Sequence, residues 1–302
     1  MKNMNKNNSF LSYIVAFLIG AVISVMVLFN TKLGNLTTNE VSICINQIVG
    51  IIALTLIMTI GRKNTTINPK REKSVWWQWF GGLFGLVILS INYYSVSYAG
   101  ATIAMATAVL GQCLAGAVMD ATGWMGIKKQ ALSRKKILSL LISLVGILLM
   151  IFYPRKGTTA KSILFGLSGI GAGILTMIQM VYNSNFAKKK GAFFSARQNV
   201  ISGLFGIALF MIVFKRSASI EGFKALSSVP FLIIIMGGLL ANFVVVGTNT
   251  IIHRIPAADS SILMSSGQII TAVLIDALVI SNFDMPLLFG AILMVLGIVL
   301  GR

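Results

Sequence analysis

Ten runs of about twenty apolar residues, separated by short polar or basic segments, leave this chain few ways to fold. A run of that length matches the thickness of a bilayer's hydrocarbon core, and inside lipid an unpaired backbone group has no solvent to satisfy it. Each run must therefore be a helix, and the pattern predicts helices at 10–33, 39–60, 76–98, 101–122, 134–153, 161–185, 193–214, 229–251, 258–280 and 286–301. Composition removes the water-soluble alternative. Hydrophobic residues make up 56% of the 302 and charged residues only 11%, against roughly 25% charged in a soluble domain. The mean hydropathy is +0.89. The expected fold is an all-α integral membrane protein with the lipid bilayer as its solvent.

The net charge of +18 invites a nucleic-acid reading. The basic residues, however, sit in short tracts between apolar runs, as in cytoplasmic loops facing anionic lipid. With the N-terminus in the cytoplasm, 18 of the 25 Lys and Arg fall inside and 7 outside, so both termini are expected inside. Trp76, Trp77, Trp79 and Trp124 then lie near the cytoplasmic interface. The stretch from Phe10 to about Phe29 is too long for a signal peptide and lacks a small-residue cleavage site, so it reads as a retained first helix. Cys44 and Cys113 both lie in apolar runs and read as small buried hydrophobes.

An internal repeat organises the ten runs. An offset of 153 aligns Gly20 with Gly173, Asn30 with Asn183, Asn46 with Asn199 and Gly50 with Gly203. After a three-residue shift, an offset of 156 aligns Gly81-Gly82 with Gly237-Gly238, Gly111-Gln112 with Gly267-Gln268, and Asp120 with Asp276. The chain holds only two Gly-Gln dipeptides and four aspartates, which makes the coincidence specific. The halves span 10–153 and 161–301, five helices each. Five is odd, so the second copy must enter from the opposite face, giving two inverted repeats.

Polar side chains inside a bilayer are costly and usually face a bundle interior or a wet cavity. Gln112 and Gln268 fall near the middle of the fourth and ninth predicted helices, where repeat-built carriers bind substrate. Their amides either line a cavity or bond to each other as glue. Asn46 and Asn199 are matching amides on the second and seventh helices; Asn92 and Tyr93 on the third and Asn242 and Asn249 on the eighth add polar surface. Asp120 and Asp276 each follow a glutamine by eight residues, about 12 Å along a helix. They serve either as a proton or cation relay or as helix-end carboxylates paired with loop cations. Arg197 either snorkels to the cytoplasmic surface or attracts an anion at a cavity mouth, and His253 beside Arg254 reads as interfacial. No nucleophile–base constellation, metal-ligand spacing or phosphate-cradling loop appears, so neither an enzyme nor a cofactor is expected.

The stretches GAVISVMVLFNTKLG (20–34), WWQWFGGLFG (76–85) and GQCLAGAVMDATGWMG (111–126), the last echoed by GQIITAVLIDAL (267–278), resemble the drug/metabolite transporter superfamily, more closely its YdcZ-like branch. The resemblance implies a ten-helix transporter in a bacterial plasma (inner) membrane that moves a small organic compound, often outward. It implies a cavity lined by the first four helices of each half, with the fifth as a packing or homodimerisation element. Small multidrug relatives carry a first-helix glutamate; neither first-helix copy here has an acid. The expectation is an alternating-access carrier of a small polar solute acting through Gln112 and Gln268, its rival a non-transporting membrane scaffold or partner subunit.

Overall fold

The computed structural model describes residues 6–69, 71–127, 129, 133–152, 159–251, 257–278 and 285–300. Among these the chain forms eleven α-helices: α1 Lys6–Leu36, α2 Asn39–Ile60, α3 Gly82–Ala99, α4 Ala101–Thr122, α5 Arg134–Phe152, α6 Ala160–Lys190, α7 Ala192–Phe214, α8 Arg216–Ala225, α9 Phe231–Ile251, α10 Ala257–Leu278 and α11 Met285–Leu300. A 3₁₀ turn, Trp76–Phe80, leads into α3. Among the described residues each of the ten apolar runs carries a helix; α8 is polar and has no such run. Seven segments among the described residues are long and apolar enough to cross a membrane, ending in α1, α2, α3, α4, α6, α7 and α9. Shorter apolar stretches occur at Ile137–Leu149 and Leu263–Leu278. The first five residues, His253, Arg254 and Asp284 lie outside the described residues.

The helix ends follow local chemistry. Thr38 caps α2, its hydroxyl accepting from the Val41 amide at 3.3 Å, with Glu40 in the first turn where the helix dipole favours an anion. Single glycines join α3 to α4 and α6 to α7: Gly100 at φ 86° and Gly191 at φ 91°, a backbone region that side-chain-bearing residues avoid. Lys188, Lys189 and Lys190, expected to mark a loop, instead form the last turn of α6, where cations complement the dipole.

The chain packs as two compact units. The first comprises Met1–Val25, Tyr94–Ile178 and Ile251–Arg302. Here α4 is the central helix: 83% of its apolar window is buried, against 22–44% in the other spans. Ile103, Val109 and Leu110 of α4, Ile147 of α5, Ile269 of α10 and Ala291 of α11 share one core. Backbones touch at glycines. A Cβ at Gly20 would overlap the Met264 carbonyl, and one at Gly173 the Ala108 carbonyl; Gly267 abuts Phe17 and Gly111 abuts Ile170 in the same way. Small residues permit this approach where lipid supplies no hydrophobic drive between helices. Each contact reappears in the other copy at the offsets of 153 and 156.

The second unit comprises Met26–Tyr93 and Gln179–Thr250. Val41, Ile43 and Cys44 of α2 pack on Ile207 and Met211 of α7, and Leu54 meets Ala196 and Val200 further along. Exchanged contacts recur. Gly82 abuts the Asn199 carbonyl and Gly238 the Asn46 carbonyl, while Gly81 faces the Asn183 amide and Gly237 the Asn30 amide. The Ser42 hydroxyl donates to the Asn30 carbonyl at 2.8 Å, and Ser195 donates to the Asn183 carbonyl at 2.9 Å. In α8, Gly222 lies against Val41 and Thr38 at the start of α2.

Candidate functional site

Within the second unit, the antiparallel α1–α2 pair and the middle of α3 line a narrow, partly open cavity. Its ten lining residues include Asn30 and Thr31 from α1, Asn39, Ser42 and Asn46 from α2, and Asn92 and Tyr93 from α3; none is charged. In this conformation it admits a group about the size of water rather than a whole metabolite. Asn30 is 8% exposed, Asn46 3% and Asn92 8%. Both amide atoms of Asn30 and of Asn46, the Thr31 hydroxyl and the Asn92 amide oxygen have no hydrogen-bond partner among the described residues. Beside them on α9, both amide atoms of the buried Asn242 are also unpartnered, and Gly50 lies against that amide. A buried polar atom without a partner costs about 1–3 kcal/mol, so such a cluster calls for a hydrogen-bonding guest.

The equivalent cluster in the second repeat is closed. The Asn183 side chain donates to Asn199 Oδ1 at 3.2 Å. Gln179 Nε2 donates to the same oxygen at 3.3 Å and to the Gly81 carbonyl at 3.0 Å. At the offset of 153, the counterpart of Gln179 is Met26, which has no amide to offer. At the offset of 156, Asn242 corresponds to Leu86 and Asn92 to Thr248. The Thr248 hydroxyl is satisfied within its own helix, by the Val245 carbonyl at 3.1 Å. The Asn249 amide donates to the Ala192 carbonyl at 3.3 Å, and its oxygen is unpartnered.

Gln112 and Gln268 meet each other in the first unit. Each Nε2 donates to the other's Oε1 at 3.5 Å, and both residues are almost fully buried. The pair is reciprocal but stretched, at the outer limit of a hydrogen bond. The Ser24 hydroxyl donates to the Gln268 carbonyl at 2.7 Å and anchors α10 to α1. Asp276 accepts from the Thr102 backbone amide at 2.8 Å, capping the first turn of α4. Asp120 is buried in α4 of the same unit.

The nominated residues thus fall into separate groups: Gln112, Gln268, Asp120 and Asp276 in the first unit, Asn46, Asn92, Tyr93, Asn199 and Asn249 in the second. Arg197 sits 5.6 Å over the Phe194 ring and Arg71 3.9 Å over it. Burial, and then the charge of Arg197, lower the Arg71 pKa from its usual value. Asn30, Thr31, Asn39 and Ser42 line the cavity but were not among the sequence candidates. The signal for Asn30 was available, since it is a polar residue in an apolar run aligned with Asn183.

Duplicated apolar helices with amides buried around a polar cavity define a multi-pass helical membrane protein. Residues 11–149 and 164–300 each match the family described as "Putative inner membrane exporter, YdcZ", and the chain belongs to this drug/metabolite transporter family. No curated protein matches the chain. Seventeen solved chains match. One, described only as "Crystal structure of protein", superposes with a TM-score of 0.62 at 15% identity, covering 97% of this chain and 94% of the other. At that identity the likeness concerns the fold alone.

Proposed function

We propose that the protein is an alternating-access secondary transporter that exports a small polar organic solute across a bacterial plasma membrane. The observation that carries the reading is the uncharged cavity of the second unit, where buried amides and a hydroxyl lack partners. A scaffold of the same fold would instead fill its interior with packed side chains, because orphaned polar atoms only weaken it. On this reading all ten apolar helices span the bilayer, the two repeats are inverted, and both termini are cytoplasmic. The reciprocal contacts support the inversion. When residue i of one copy touches residue j of the other, and the equivalents of i and j also touch, the copies are related as by a two-fold axis. An odd number of spans per copy then places that axis in the membrane plane.

Asn46, Asn92 and Tyr93 contact the solute, with Asn199 and Asn249 on the corresponding face of the second repeat. Gln112 and Gln268 part and rejoin as the repeats change conformation; a stretched neutral amide pair is weak enough to do so. Asp276, holding a helix N-terminus, serves structure before coupling. Flux measurement in proteoliposomes tests the proposal. Saturable movement of a neutral polar solute that falls on replacing Gln112 or Gln268 with Ala supports it, and full flux in the double variant removes those residues from the mechanism.

A further inference from the structure

We infer that the solute site is built around the Asn30–Asn46 cluster of the first repeat and not around its Asn183–Asn199 counterpart, and that it takes an uncharged group that both donates and accepts hydrogen bonds, such as a carboxamide. The inference deepens the transport reading and rests on it only for the guest being cargo.

The two repeats carry the same pair of asparagines, yet the surroundings differ in kind. In the second repeat, Gln179 stands one helical turn before Asn183 on α6, on the same face, and completes the amide cluster. In the first, Met26 holds that place before Asn30 on α1. Asn199 accepts from both Asn183 and Gln179; the first repeat keeps the counterpart of Asn183 in Asn30, but no conformational exchange can give Asn46 the second donor, because the counterpart of Gln179 is a thioether. Asn242 in place of Leu, and Asn92 in place of Thr, add further unpartnered amide atoms on the same side. The Asn183–Asn199 cluster is therefore closed by its own side chains, and the Asn30–Asn46 cluster is left with donors and acceptors lining a cavity.

The chemistry of the guest follows from what is orphaned. The cavity lining presents amide nitrogens of Asn30 and Asn46 and oxygens of Asn30, Thr31, Asn46 and Asn92, with the orphaned amide of Asn242 against Gly50 of α2. A cation would satisfy oxygens and leave nitrogens facing it; an anion would do the reverse. Turning an amide over exchanges its ends but still presents one of each. With no charged lining residue, either ion would be desolvated without a counter-charge, at a cost of several kcal/mol. A carboxamide has the same donor–acceptor pair as the side chains that line the cavity and meets no such cost.

The test uses three isosteres on the full-length protein in detergent: malonamide, malonate and 1,3-diaminopropane. Malonamide at tenfold excess over half-saturation should raise the thermal midpoint by about 2 °C, and the two charged compounds should leave it unchanged. Met26→Gln supplies the missing donor, so it should raise the midpoint in buffer and abolish the malonamide shift, whereas Gln179→Met should keep that shift. Asn30→Leu provides a second variant in which the response is lost. The inference is overturned if malonamide shifts both Met26→Gln and Asn30→Leu as it shifts the wild type. It is also overturned if a charged isostere gives the larger shift, or if malonamide gives none at saturation. A shift sensitive to Met26→Gln without malonamide flux in proteoliposomes upholds the site and sinks the transport reading.

Discussion

Gln112 and Gln268, 156 residues apart and equivalent in the two repeats, hold each other through two reciprocal amide contacts of 3.5 Å. Each is the other's partner, so replacing one leaves a buried amide unsatisfied. Gln112→Leu or Gln268→Leu should each destabilise by about 1–3 kcal/mol. The double variant should cost less than the sum, with a coupling of about 0.6–1.7 kcal/mol. Unfolding titrations in mixed micelles measure all three. Strict additivity would show that the contact carries no energy.

The glycine contacts make a sharper prediction, because the neighbour is backbone and cannot swing away. Gly20→Ala and Gly173→Ala push a methyl group into the Met264 and Ala108 carbonyls. Each should cost about 3 kcal/mol and lower the yield of folded protein. Gly171→Ala, where a Cβ meets nothing within 4 Å, should have little effect and serves as the control. Thermal midpoints of the three variants decide the matter.

Much of this architecture was legible beforehand, and the reasons are specific. Apolar runs marked each helix that is apolar over its length, and Gly20, Gly173 and the Gly-Gln dipeptides aligned because backbone contact between helices tolerates no other residue there. The polar α8 was not legible, since ten residues without an apolar run read as a loop. Lys188–Lys190 misled because charge marks the end of a span, not the end of its helix. The cavity was half legible. Asn46, Asn92 and Tyr93 stood out singly, but Asn30 registered only as a repeat marker. Which copy is satisfied depends on Met26 against Gln179, a difference invisible until the hydrogen bonds are drawn.

Asp276 offers a clean separation of structural and coupling roles. As a cap on α4 it accepts from the Thr102 amide, so Asp276→Ala should cost about 1 kcal/mol, while Asp276→Asn should cost less. Neither should change the pH profile of flux. A profile displaced in Asp276→Asn at unchanged stability would assign the residue to proton coupling instead.

The inverted arrangement can be read from loop positions. In a background with Cys44 and Cys113 replaced by alanine, Thr37→Cys between α1 and α2 should react with an impermeant maleimide on intact cells. Lys189→Cys, at the equivalent end of α6, should react only after permeabilisation. Labelling of both from one side would mean parallel repeats.

The most direct measurement is flux of labelled malonamide into proteoliposomes of purified protein, beside protein-free vesicles. The account predicts saturable uptake that is competed by unlabelled malonamide, not by malonate, and lost in Met26→Gln while Gln179→Met retains it. Uptake no faster than in protein-free vesicles, or uptake unaffected by Met26→Gln, would contradict it.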